Sequence, residues 1–117
     1  MGPLKNISVL EFSGLGPGPY CGMLLADMGA NVIRIGRKGT EGIENKFDIH
    51  NRSKRSITAD LKNKDTINEI LKLIDQMDVV FEGYRPGVME KLGLGPNICL
   101  ERNPKLVYGR MTGWGQE

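Results

Sequence analysis

The chain has 117 residues, 39% hydrophobic and 26% charged, the make-up of one globular domain able to bury about two-thirds of its unfolded surface. A formal net charge of +2 is too small to argue for nucleic acid, and no apolar run is long enough to span a bilayer. The N-terminal stretch lacks the apolar core of a signal peptide, and the two cysteines, Cys21 and Cys99, have no partners at metal-ligand spacing; a reducing compartment is expected.

Residues 7–12 predict a first strand. The following SGLGPGPY sets Gly14, Gly16 and Gly18 among Pro17 and Pro19. A strand running into glycines invites a dinucleotide-binding reading, but the G-x-G-x-x-G pattern needs its third glycine one residue later. The acidic residue that would hold the ribose of NAD is also missing, because the second strand ends on Gly36 and Arg37. The glycines and prolines therefore read as a tight strand-to-helix turn. Residues 19–28 predict a helix that is apolar on nearly all sides through Met23, Leu24, Leu25 and Met28, hence covered all round, with Gly29 as its stop. Residues 31–35 predict a second strand with a polar break at Arg34. An arginine just past that strand suits a nucleotide with a phosphate on its ribose, as NADP and coenzyme A both carry; a solvated arginine is the plain alternative.

Residues 36–54 show no periodicity and read as a long, charged surface loop. The single histidine, His50, lies there with no acid or nucleophile beside it and reads as a surface residue. Residues 55–60 predict a third strand, closed by Ala59, Asp60, Leu61 and Lys62; Lys62 could meet a phosphate, while Asp60 could as easily turn the chain. Residues 65–76 predict the clearest helix, with Ile67, Ile70, Leu71 and Ile74 on one face. A fourth strand over 78–82 is broken by Gly83. Pro86 stands where a helix could begin, and Tyr84 and Arg85 lie between break and helix, a place where backbone N–H groups favour anions. Helical turns over 88–92 and 97–102 precede a fifth strand over 105–111. The Gly-Trp-Gly turn after that strand reads as the start of a further half, so a segment of a longer protein is expected.

This order of elements predicts an α/β domain over 1–117, a mostly parallel sheet with helices on both faces. Arg37, Lys62, Arg85 and Lys91 all fall at strand ends or just after them. That recurrence points to one polyanionic, nucleotide-like ligand along the C-terminal edge of the sheet.

Four blocks in order, GPGPYCGMLLADMGANVIRI, NRSKRSITADLK, DVVFEGYRPGVMEKLGLGP and NPKLVYGRMTGWGQ, carry a resemblance across essentially the whole chain. The chain resembles the N-terminal part of the family III coenzyme A transferases. SGLGPGP and RMTGWGQ are similar to the α-methylacyl-CoA racemase branch of that family. The resemblance implies a Rossmann-like domain, incomplete here relative to the family fold, that binds the coenzyme A moiety of an acyl-CoA thioester. No tightly bound cofactor is implied; coenzyme A enters as part of the substrate. It further implies removal of the weakly acidic α-proton of a 2-methylacyl thioester and its return on the opposite face, through a stabilised enolate.

The match implies that Arg37 meets phosphates of the nucleotide end, with Ala59 and Leu61 bordering the adenine and Lys62 near a phosphate. Gly83, Tyr84 and Arg85 would border the pantetheine and diphosphate path. Lys91 replaces an arginine frequent in relatives and loses its bidentate fork. Leu15 and Pro17 would line the region near the thioester. The family's catalytic His and Asp fall after residue 117, so no catalytic residue is assigned here and the chain alone is expected to be inactive. The resemblance also implies an interlocked homodimer and a cytoplasmic enzyme, mitochondrial or peroxisomal in a eukaryote. Alternatives are a CoA-transferase segment, a non-catalytic CoA-binding or assembly module, and an NADP oxidoreductase.

Overall fold

The computed structural model describes residues 2–12, 17–37, 54–113 and 115. In chain order the elements are β1 (Ser8–Phe12), α1 (Pro17–Asp27), β2 (Asn31–Arg37), β3 (Arg55–Ala59), α2 (Lys64–Ile74), β4 (Val79–Glu82), α3 (Val88–Leu92), α4 (Pro96–Arg102) and β5 (Val107–Arg110). Every predicted element is present. Of the loop predicted over 36–54, residues 38–53, His50 among them, lie outside the described residues, while Gly36 and Arg37 continue β2.

The strands form one five-stranded sheet in the order β3-β2-β1-β4-β5, and each neighbouring pair is parallel. The order reverses direction between β1 and β4, which makes the sheet doubly wound. Its centre is buried on both faces, and so β1 and β4 read as apolar runs rather than alternating ones. Leu10, Phe12, Ile35 and Val80 pack with Ile67, Ile70, Leu71 and Ile74 of α2, Met89 of α3 and Cys99 of α4. Val9, Val32 and Phe81 face the other way, into a smaller cluster with Cys21, Leu25 and Ala26 of α1.

Local chemistry sets the helix ends. Asn63 caps α2, its side-chain oxygen accepting from the backbone N–H of Asp65 at 2.8 Å and of Thr66 at 3.4 Å. Gly29, with φ of 100°, lets the chain leave α1 in the left-handed region, and Ala30 N–H returns to the Leu25 carbonyl at 3.1 Å. Asp75, just past α2, takes a bidentate pair of hydrogen bonds from Arg102 of α4 at 3.0 and 2.7 Å.

Three local expectations are corrected. Arg34, the polar break in the apolar pattern of β2, is not a solvent-facing residue: it is buried within the strand and reaches Ser56 of β3 at 3.3 Å. α1 is not covered all round, because Tyr20, Leu24 and Met28, four residues apart, are 50%, 40% and 40% exposed. Pro86 does not open a helix: it forms a turn with Gly87, whose φ of 87° places the start of α3 at Val88.

Candidate functional site

A parallel sheet delivers all its strand ends to one edge. Here that C-terminal edge carries Phe12, Arg37, Ala59, Glu82 and Arg110, with Arg37 beside Ala59, Phe12 beside Glu82, and Glu82 beside Arg110. The segments that follow β3 and β4 cross this rim, at the end of the sheet where open α/β folds hold ligands.

On the β3 side, Ala59 and Leu61 are buried in the main core. Their side chains are committed to packing, which leaves their backbone for any ligand. Asp60 turns the chain between them: its side-chain oxygen accepts from Lys62 N–H at 3.1 Å, and its carbonyl accepts from Asn63 N–H at 3.1 Å. The turn projects Lys62 into solvent at the entrance to α2. Arg37 ends β2 opposite Ala59, placed by its backbone.

On the β4 side, Gly83 and Arg85 are exposed and Tyr84 is half-buried between them. The Tyr84 ring meets Phe12 edge-on, with centroids 6.5 Å apart, which joins the turn to the end of β1. Below the turn lies Glu82, whose side chain is only 1% exposed. One of its oxygens accepts from Tyr84 N–H at 2.8 Å and the other from Arg110 Nε at 2.9 Å. Arg110 then donates both remaining nitrogens to Glu90 of α3, at 2.9 and 2.6 Å. These bonds, above all those to Glu90, raise the pKa of the Arg110 guanidinium and lower that of the Glu90 carboxyl. Lys91 stands exposed on the last turn of α3. Tyr108 of β5 gives its hydroxyl to the Leu94 carbonyl at 2.7 Å, and burial pushes that hydroxyl's pKa up.

A second ionic cluster lies on the α1 face. Lys54 Nζ pairs with Glu11 Oε1 at 2.7 Å, both side chains at 0% exposure, and also donates to the Pro19 carbonyl at 3.0 Å. Arg34 is the strand neighbour of Glu11. Gly22 of α1 makes the room, since a Cβ there would overlap the Glu11 carboxylate. Burial, then the charge of Glu11, raise the pKa of the neighbouring Cys21 thiol.

Of the residues singled out in sequence, the topology gathers Arg37, Ala59, Leu61, Lys62, Gly83, Tyr84 and Arg85 along one rim, with Lys91 on the short helix after it. Leu15 lies outside the described residues, and Pro17 is placed only as the first residue of α1. The residues sequence reasoning missed are the buried carboxylates Glu11 and Glu82 and their partners Lys54 and Arg110. A carboxylate within each of two apolar strands, SVLEF and VVFE, was the available signal. Among the described residues, no group of three or more His, Cys, Asp or Glu could hold a metal ion. No helix among them is long and apolar enough to cross a membrane.

Residues 4–117 match the model for CoA-transferase family III. Over 113 residues the chain is 47% identical to the alpha-methylacyl-CoA racemase of Mus musculus, covering 97% of this chain and 29% of that protein. It is 40% identical to a probable fatty acyl-CoA transferase of Mycobacterium tuberculosis, covering 97% of this chain and 32% of that one. A crystal structure of that mycobacterial protein superposes on the whole chain with a TM-score of 0.92 at 40% identity, over 35% of its own length. The chain thus spans about a third of the length of the relatives it matches.

Proposed function

The chain belongs to CoA-transferase family III, and from that premise we propose that it is the coenzyme A-binding N-terminal segment of an enzyme that epimerises 2-methylacyl-CoA thioesters at the α-carbon. One observation carries the reading. Arg37, Lys62 and Arg85, far apart in sequence, belong to a single rim of a parallel sheet. Three cations along one edge suit a ligand with phosphates spread over its length, as coenzyme A has. The phosphorylated ribose is assigned to the β2–β3 side, at Arg37 and Lys62. Ala59 and Leu61 offer backbone to the adenine there, their side chains being turned into the core. The diphosphate and pantetheine then run toward the turn of Gly83, Tyr84 and Arg85, with Lys91 beyond and Leu15 and Pro17 near the thioester.

Chemically, this segment holds and orients the carrier. Fixing a large, flexible carrier converts the reaction of its distant acyl end into an oriented one. No described residue is given a proton-transfer role. Curated relatives divide between a racemase and transferases, so a segment of an acyl-CoA:carboxylate CoA-transferase is the second reading. The two share the carrier site and differ in what is done at the thioester. A homodimer and a cytoplasmic location belong to the same proposal.

Calorimetric titration with coenzyme A and dephospho-coenzyme A tests the assignment. Arg37→Ala is expected to weaken coenzyme A about tenfold, the loss of one charge-assisted contact, and to change dephospho-coenzyme A little. Equal losses for both ligands remove Arg37 from the ribose phosphate.

A further inference from the structure

Glu82 is a carboxylate at the end of a buried strand, at the point where the sheet order reverses. Burying it is unfavourable unless both oxygens are partnered. Both are, and each partner lies on a different piece of the rim: Tyr84 N–H on the turn and Arg110 Nε at the end of β5. The same arginine holds Glu90 of α3, the helix into which the turn feeds. One guanidinium therefore ties both ends of segment 83–90. Backbone strengthens the frame, since Met111 N–H donates to the Glu82 carbonyl at 2.9 Å.

A stabilising role alone would not call for ions here. Replacing a buried ion pair by apolar side chains of similar volume is often neutral or favourable for stability. What the ions supply is direction. Glu82 pulls the Tyr84 amide inward, and the chain leaves Arg85 outside on the rim. Gly83, which no side chain constrains, would let that turn adopt other shapes.

We propose that Glu82 and Arg110 are positioning residues that hold the 83–85 turn in the shape needed for the diphosphate and pantetheine arm of a coenzyme A thioester. This rests on the coenzyme A reading above. It adds two residues that do not touch the ligand and act through Tyr84 and Arg85.

The test compares coenzyme A with adenosine 3′,5′-bisphosphate, which carries the nucleotide end but not the arm that reaches the turn. Affinities are followed by NMR titration of this chain, together with the Tyr84 amide proton shift. Glu82→Ala is expected to weaken coenzyme A about tenfold and to leave the bisphosphate within a factor of about two. Glu82→Gln, which keeps an acceptor for Tyr84 N–H, is expected to restore part of the loss and move the Tyr84 amide upfield. If the alanine variant does not fold, Glu82→Gln and the exposed-side change Glu90→Gln carry the comparison, each weakening coenzyme A selectively. Equal weakening of both ligands, or none, by variants that fold overturns the positioning role while the coenzyme A reading stands. A wild-type chain that binds neither ligand overturns that reading, and this inference with it.

Discussion

A buried charge depends on one glycine. Gly22 of α1 lies directly over the Glu11–Lys54 pair, and a Cβ there would meet the Glu11 carboxylate and come within 2.8 Å of Lys54 Nζ. Because both ions are sealed from water, neither can swing out to make room at little cost. Gly22→Ala is therefore expected to destabilise the fold by about 3 kcal/mol in urea unfolding, although alanine is the better helix former. The thiols behave by burial. Cys99 is sealed in the core, its Sγ 3.5 Å from the Leu94 carbonyl, and burial pushes it up to about 11. Iodoacetamide at pH 8 is expected to label the half-buried Cys21 first and Cys99 only when the chain unfolds.

Among the elements, α2 and α3 show two ways of fixing a helix. α2 carries its own instructions: an asparagine cap, an apolar face of Ile67, Ile70, Leu71 and Ile74, and a tie to α4 at its end. Asn63→Ala is expected to cost about 1 kcal/mol, readable in a thermal melt. α3 has five residues and a glycine at each end, so long-range contacts hold it. Its link to β5 is the Glu90–Arg110 pair, and hydrogen bonds from Arg110 hold the Glu90 carboxyl below its ordinary 4.5. A carboxyl lowered in the folded state contributes stability that is complete above its unfolded value and is lost as pH falls through the folded one. Acidification below pH 4.5 is thus expected to loosen α3 from β5, and Glu90→Gln to flatten that part of the stability curve.

For the whole molecule, the sheet order ranks its parts. β1, β2 and β4 are interior, each paired on both sides, whereas β3 and β5 are edges with β3 largely exposed. Amide hydrogen exchange is expected to be slowest in the interior strands β1, β2 and β4 and fastest in β3, because opening an edge strand breaks one ladder rather than two. The exposed stripe of Tyr20 and Leu24 on α1 and Met28 just past its end contrasts with the opposite face, where α2, α3 and α4 together cover the sheet. The proposed ligand path lies between these layers, along the one edge where both sets of loops begin.

By itself the sequence determined the α/β class, the elements in their order and the basic residues at strand ends. Those features are local: apolar runs, helical spacing, glycine stops and a capping asparagine act over a few neighbouring residues. The rim could be inferred because parallel strands must all end on the same side. Only the tertiary structure decided that Arg34 is an interior residue, that Lys54 neutralises Glu11, and that Glu82 and Arg110 brace the turn beside Arg85. A charge in a strand looks the same in sequence whether it meets water or a partner. Its partner lies 43 residues away for Glu11 and 28 for Glu82, so only chain closure brings the two together and makes burial tolerable.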